Sequence, residues 1–377
     1  MRYTAKRISE SFTARRMSVA MAALLLGTVC LLPRGGHARV TGQCVNCHTM
    51  HNSQGGVSMS ATSTVYQSLT KGDCVGCHTG GAADLTDLGI PKVNHTAAPS
   101  GTLAGGSFFW VQAADAMGHN VKGIKISDVV LGNTPPGGTA LASQLTCAGT
   151  TGCHGVRTEA NEYKALSGSH HAPKQNTNGY VDGSSLVNSY RFLNGIKGIE
   201  DADWEKTVSA SDHNQYYGVG RTTDAVADTH TISALCGQCH GAFHASSAAH
   251  NANAVGISYA NNMTSPWVRH PTDFDMNTVK TKEYSAYGGG TLGTGVGAAY
   301  VPAVPVASSV ATVMSSTGAP AATVFGAAGD AVVTCISCHR AHGSDKADLL
   351  RWDYTAMNAH AGTSTSGCFA CHTTKDT

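Results

Sequence analysis

The feature that most constrains this 377-residue chain is the placement of its cysteines. Of 13 cysteines, 12 form six pairs, and a histidine directly follows the second cysteine of every pair. C-x-x-C-H is the attachment sequence of c-type haem, because two thiols reach the vinyl groups on one porphyrin edge while the next imidazole binds the iron. Disulfide frameworks and zinc knuckles also pair cysteines, but neither requires a histidine after each pair.

Five pairs keep the strict spacing of two intervening residues. With the histidine that follows them, they are Cys44, Cys47 and His48; Cys74, Cys77 and His78; Cys236, Cys239 and His240; Cys335, Cys338 and His339; and Cys368, Cys371 and His372. The sequence therefore predicts covalently attached haem, with each motif histidine as an iron ligand.

The third pair along the chain is wider than the others. Five residues separate Cys147 from Cys153, and His154 comes next. Gly149 and Gly152 would let the intervening residues loop out. We expect two thioether bonds here, with attachment through Cys153 alone as the alternative, and six haems in all.

The second axial position of each iron separates an electron carrier from an enzyme, because an enzyme needs a vacant position for substrate. Of the 19 histidines, His37 lies in the N-terminal segment and six belong to the motifs, which leaves twelve for six positions. We therefore expect six bis-His haems, with the methionines filling gaps in the packing. The expected second ligands are His51, His95, His119, His244, His270 and His342.

Three of these candidates follow a motif histidine by three or four residues. Such a residue shares a helix face with that histidine and cannot reach the far side of its own haem. His51, His244 and His342 should therefore each serve a different haem. The strongest competing candidates are the adjacent His170 and His171, and the weaker ones are His213, His230, His250 and His360.

Residues 1–38 are typical of an export signal. Basic residues precede an apolar run from about Met17 to Leu32, which is shorter than the roughly 20 residues of a membrane-spanning helix. We expect cleavage after Ala38, and we disfavour lipidation at Cys30, because Val29 is large for the preceding position. The expected organisation is a signal peptide at 1–38 and a single hexahaem domain at 39–377, exported and without a transmembrane segment.

The composition predicts an irregular fold. Only 13% of the residues are charged, against about 25% in an average soluble domain, and glycine is abundant. Few stretches keep a helical apolar period. We expect mostly loops, with short helices at the attachment motifs and minor short strands, for example between Ala298 and Val333, wrapped around a stack of six haems that forms the core. Aromatic residues that would pack on haem edges, or on ordinary side chains, are Phe108, Phe109, Trp110, Trp267 and Trp352.

The charge balance excludes a strongly basic nucleic-acid-binding protein. The whole chain has a formal net charge of +1. The leader holds six of the 25 basic residues and one of the 24 acidic residues, so residues 39–377 carry 19 basic and 23 acidic residues, a net charge of −4. Six ferric haems, each with two propionates, would add roughly −1 apiece.

The motifs resemble those of the OmcS-type hexahaem cytochromes of metal-reducing bacteria, which polymerise into extracellular conducting filaments. The similarity is sharpest at residues 44–55 and 335–342 and in the Gly-His-Asn and Arg-His-Pro settings of His119 and His270. Motif number and order match over the full mature length, while the linking segments match weakly. The widened third motif departs from the pattern, since no histidine closely follows His154, and His170 or His171 are the replacement candidates there.

In that family the haems form a continuous stack, all irons are bis-His, and the histidine of the first CHTMH segment crosses to the next subunit. The resemblance implies that His51 binds the iron held by His339 in a neighbouring copy. Repeated head to tail, that bond gives an open polymer.

The expected function is electron transfer outside the cell and not enzyme catalysis. No C-x-x-C-K motif occurs of the kind that often marks the catalytic haem of multihaem reductases. The expected electron donors are other multihaem cytochromes, and the expected acceptors are extracellular metal oxides or other extracellular acceptors. The alternative is a monomeric periplasmic or cell-surface shuttle, in which His51 would bind an iron of its own chain.

Overall fold

The computed structural model describes residue 40 and residues 42–60, 64–173, 175–222, 225–244, 270–359 and 366–374. These residues belong to one compact unit, Arg39–Thr377. The expected export signal with Cys30, and also His250, Trp267 and His360, lie outside the described residues. None of the helices in the described ranges is long and apolar enough to cross a membrane.

The helices are short and concentrate at the attachment motifs. The α-helices are α1 (Cys74–Cys77), α2 (Glu162–Ala165), α3 (Ile232–Gly237), α4 (Gly241–His244) and α5 (Cys335–Cys338). The 3-10 helices are Cys44–Asn46, Gln67–Leu69, Phe108–Gln112, Asp115–Met117, Leu186–Asn188, Tyr190–Phe192, Met276–Val279, Glu283–Gly289, Ala347–Leu349, Tyr354–Ala356 and Gly367–Ala370. Five of the six motifs therefore begin in a helix or helical turn.

Side chains at the helix starts explain why the motif helices form. Asp73 precedes α1, and its carboxylate accepts a hydrogen bond from the backbone N–H of Gly76 at 2.7 Å. Thr334 precedes α5 and forms a reciprocal capping box with Ser337. Each cap satisfies amide groups that a four-residue helix would otherwise leave without partners.

The strands are two or three residues long and form small separate sheets. Antiparallel pairs join β1 (Ser53–Gln54) to β2 (Val57–Ser58) and β10 (Phe274–Asp275) to β11 (Val332–Val333). Parallel pairs join β3 (Thr79–Gly80) to β4 (Asn94–His95) and β5 (Thr146–Ala148) to β6 (Gly152–His154). An antiparallel sheet contains β7 (Tyr180–Val181), β8 (Gly198–Ile199) and β9 (Gln215–Tyr216). The expectation of a mostly irregular chain with short helices and minor strands is confirmed.

The linking segments build more apolar core than the composition predicts. One buried cluster includes Met276, Tyr287, Tyr300 and Val306. A second cluster gathers residues that flank the attachment cysteines: Ile232 and Leu235 on α3, and Ile336 on α5. The fourth and fifth motifs are thus fixed by side-chain packing, and the haem stack is not the only source of core.

Candidate haem sites

The motif histidines have their rings oriented by the backbone. In five of the six, Nδ1 donates a hydrogen bond to a carbonyl oxygen: His48 to Ser68 (2.9 Å), His78 to Pro91 (2.8 Å), His154 to Arg191 (2.9 Å), His240 to Pro136 (2.7 Å) and His339 to Asp348 (2.6 Å). In the sixth, Nδ1 of His372 lies 3.4 Å from Oε1 of Glu283. A proton on Nδ1 leaves the lone pair of Nε2 for a metal, the usual arrangement around a metal-binding histidine.

Four motif rings lie opposite a second imidazole. The ring centroids are 5.9 Å apart in His48 and His171, 6.4 Å in His154 and His342, 6.1 Å in His240 and His119, and 6.2 Å in His372 and His270. Two imidazoles on one metal, each bonded at roughly 2 Å, have centroids roughly 6 Å apart. The residues present therefore fit iron held from both faces.

The His170-His171 pair serves two neighbouring motifs. His171 faces His48 of the first motif. Desolvation, and next the charges of His78, His171 and His154, lower the pKa of His170 to about 4, so His170 lies within electrostatic range of the second and third motifs. From the sequence, His170 and His171 are the replacement candidates for the third site, but His342 lies opposite His154 there. The adjacency of His170 and His171 in the sequence could have indicated this arrangement, because successive side chains can reach two neighbouring sites.

The three expected ligands His119, His270 and His342 lie beside motif rings, as ligation requires. Nδ1 of His119 donates to the carbonyl of Ala341 at 2.7 Å, and Nδ1 of His270 to that of Pro271 at 2.9 Å. His342 packs against the Phe108 ring, with centroids 4.7 Å apart. Burial, and next the charge of His154, lower the pKa of His342 to about 3. Phe108 thus packs on a side chain, the second of the two roles expected for it.

Two other expected ligands face carboxylates. Nδ1 of His95 is 2.7 Å from the Ser107 hydroxyl, and its Nε2 is 3.8 Å from Asp84. Nε2 of His244 donates to Asp273 at 2.8 Å. Within the described part of the chain, neither ring contacts a motif imidazole. Sequence spacing does not predict these contacts, because the acids lie 11 and 29 residues away from the histidines that they contact.

The two weaker competitors that the structure describes also lie away from the motif rings. His213 stacks in the core on Tyr300, with ring centroids 3.5 Å apart. Nδ1 of His230 is 2.6 Å from the carboxylate of Asp228. Neither of these two contacts involves a motif histidine.

His51 and His339 are each without a second imidazole in ring contact among the described residues. His51 is exposed, and its Nδ1 lies 3.2 Å from the hydroxyl of Ser53. The His339 ring is also exposed, with its Nδ1 bonded to the Asp348 carbonyl. Among the described residues, two motif histidines, His78 and His339, thus have no imidazole in ring contact, and the expected second ligand His51 has none either.

The widened third motif brings its cysteines side by side. The pairing of β5 with β6 sets Thr146 opposite Gly152 and Ala148 opposite His154, so Cys147 lies opposite Cys153. The residues between them loop out, with Gly149 at a φ of +85°. This geometry fits two thioether bonds to one haem, which remain a prediction.

Thiols of motifs that follow one another in the chain interact electrostatically in pairs. The links are Cys47 to Cys77, Cys74 to Cys147, Cys153 to Cys239, Cys236 to Cys335, and Cys338 to Cys371. Cys147 donates a hydrogen bond to Cys74, and Cys236 to Cys335. In each of the other three links, desolvation and next the charge of the neighbouring thiol raise the pKa of one cysteine. The pKa of Cys77 is raised, that of Cys153 rises to about 11, and that of Cys371 rises to about 12.

The comparisons with known proteins agree with these motifs. A family model described as the doubled CXXCH motif matches residues 327–377, which hold the last two motifs. A curated relative, the C-type cytochrome OmcS of Geobacter sulfurreducens, is 26% identical over 93% of this chain and 88% of its own length.

Two solved structures are similar to this chain. An outer membrane cytochrome S filament from Geobacter sulfurreducens has a TM-score of 0.50 at 22% identity, over 88% of each chain. A cryo-EM structure of OmcS nanowires from the same organism has a TM-score of 0.47 at 22% identity. The resemblance to OmcS-type cytochromes is confirmed, and the first structure shows the same kind of fold.

Proposed function

We propose that this chain is an extracellular multihaem c-type cytochrome that carries electrons along six bis-His haems and polymerises head to tail. The observation that carries the proposal is the set of four ring pairs, each joining a motif histidine to one from elsewhere in the chain at 5.9–6.4 Å. Bound haem would supply reversible one-electron chemistry at iron. With an imidazole on each face, no position is left for a substrate, which favours a carrier over an enzyme.

Four of the six proposed ligand pairs are the ring pairs described above, and the full set revises the expected one. In motif order they are His48 with His171, His78 with His170, His154 with His342, His240 with His119, His339 with His51 of a neighbouring copy, and His372 with His270. His95 and His244 leave the set, because their ring nitrogens face Ser107, Asp84 and Asp273. The twelve attachment cysteines stay as predicted.

Polymerisation is the function proposed for His51. Its exposed ring, and the exposed ring of His339, are what a bond between copies needs, since neither has an imidazole partner among the described residues. The solved filament of the relative supports the same assembly here. We further propose export after cleavage at Ala38, electron supply by other multihaem cytochromes, and delivery to metal oxides or other extracellular acceptors.

Counting haems and their spin state tests the cofactor. Mass spectrometry of the mature protein should find six covalent haems, and Cys147→Ala should keep the third haem through Cys153 while losing one thioether. Electron paramagnetic resonance of the polymer should find only low-spin ferric iron. Fewer than six haems, or a high-spin signal in the intact polymer, would contradict the proposal.

Electron microscopy of unsheared material tests the polymer. Filaments are expected from the wild type and single particles from His51→Ala, in which the iron at His339 should lose its second imidazole. His95→Ala is the control, since that ring faces Asp84 and should leave filaments intact. Single particles from the wild type would contradict the polymer, and one high-spin iron in His51→Ala would then support the monomeric shuttle, in which His51 binds an iron of its own chain.

A further inference from the structure

A buried carboxylate stands beside the junction of the fourth and fifth attachment segments. Asp273 is fully buried, and its Oδ2 accepts a hydrogen bond from Nε2 of His244 at 2.8 Å. Its Oδ1 is buried without a hydrogen-bond partner among the described residues. The backbone of Asp273 has a φ of +55°, which a residue with a Cβ adopts at an energetic cost. The fold thus holds an acid where water does not screen it.

Strand register locates this carboxylate. Asp273 directly precedes β10, which pairs antiparallel with β11, with Phe274 opposite Val333. One step further along that register, Asp273 comes opposite Thr334, the neighbour of Cys335. His244 is the last residue of α4, four positions after His240. The pair of Asp273 and His244 therefore joins the fourth motif to the fifth.

The field of Asp273 reaches the sulfurs of both motifs. The hydrogen bond to Cys335 and burial raise the pKa of Cys236 well above the usual range of a thiol, and Asp273 adds to that rise. In Cys335 the hydrogen bond from Cys236 lowers the pKa, and Asp273 opposes this. One carboxylate thus acts on thiols of two attachment sites.

We propose that Asp273 lowers the reduction potentials of the fourth and fifth haems, which are held through Cys236 and Cys335. A buried anion stabilises ferric iron over ferrous iron, and its effect is larger in a low dielectric than at the surface. Asp273 is a positioning residue, since it acts through space, and His244 fixes its orientation. The inference rests on the proposed function.

The test is a spectroelectrochemical titration of the fully haem-loaded protein. Asp273→Asn keeps an acceptor for His244 but removes the charge, and it should shift about a third of the haem absorbance to higher potential, since two of six motifs are involved. Asp228→Asn is the matched control: Asp228 also pairs with a histidine, His230, but both side chains are partly exposed. The control should leave the titration unchanged.

Haem content and spin state are measured before each titration, which separates this inference from the proposed function. Six low-spin haems and an unchanged titration in Asp273→Asn would overturn the role of Asp273 alone. A wild type with fewer than six haems would overturn the proposed function. If Asp273→Asn does not accumulate, Asp273→Ser, which also removes the charge and keeps an oxygen near His244, should raise the same potentials. An unchanged titration in that variant would also overturn the inference.

Discussion

The first and fifth motifs carry the same local pattern, a histidine three residues after the motif histidine, yet the two regions are held differently. Backbone bonds of residues 43–59, which hold the first motif, stay close in sequence, as from Thr49 to the Leu69 carbonyl at 2.7 Å. Those around the fifth reach across the chain, with His342 donating to Gly105 at 2.8 Å and Ser107 to Gly343 at 3.0 Å. A long-range scaffold half-buries His342, and its absence leaves His51 on the surface.

A pair of glycine variants should give the largest contrast between these regions. Gly106 has a φ of +76°, and a Cβ there would clash with the carbonyl oxygen of Gly343. Gly55 has a φ of +58° with open space around it. Gly106→Ala should cost about 3 kcal/mol or more, and Gly55→Ala only about 1 kcal/mol, in the free energy of unfolding by denaturant. Equal losses would mean that the two regions are anchored alike.

Removing the scaffolded imidazole should cost less than disrupting its scaffold. His342→Ala loses the contact with Phe108 and the ring opposite His154. Roughly 2 kcal/mol of stability should disappear with that half-buried ring, and one of the six haems should turn high-spin. Thermal unfolding and electron paramagnetic resonance measure the two effects. A fully low-spin variant would mean that another residue binds the third iron.

A weaker effect should link pH to the segment beneath His342. The Asp201 carboxylate accepts a hydrogen bond from Glu205, and the nearby Trp204 carbonyl accepts one from Ala104. Burial, and next the interaction with Asp203, raise the pKa of Asp201 from its ordinary 3.8 to about 6. The folded state therefore binds a proton more tightly than the unfolded state does, so this contribution to stability falls as pH rises from about 4 to 6.

Denaturant unfolding across that pH range measures the slope. Asp201→Asn should flatten it and leave the region of the first motif unaffected. A slope equal to that of the wild type would show that Asp201 titrates normally.

The smallest effect on the fold is expected from His51→Ala. The ring is exposed, with only the Ser53 hydroxyl near its Nδ1, so the stability of the single chain should change by less than about 0.5 kcal/mol. Thermal unfolding of dissociated subunits measures this. A loss as large as that of His342→Ala would place His51 in the fold of its own chain.

The sequence predicted the irregular, short-element fold that the structure shows. The attachment sites stay a prediction, which rests on the covalent chemistry that C-x-x-C-H provides whatever surrounds it. The second ligands depend on tertiary contacts. The sequence alone does not distinguish histidines that reach a motif imidazole from histidines that do not. His342 and His244 both follow a motif closely, but one is carried to His154 and the other to Asp273. No local pattern encodes which distant acid or imidazole arrives. The two apolar clusters were also missed, because their members are spread thinly over long linkers.

The bonds from the motif imidazoles to backbone carbonyls have a consequence for how such chains diverge. The accepting carbonyls belong to serine, proline, arginine and aspartate, side chains with nothing in common. Every residue type carries that oxygen, so the linkers can exchange almost any side chain there and keep the ring oriented. A relative can therefore share only 26% of its residues with this chain over nearly the full length, and a solved structure only 22% identical can still have the same kind of fold.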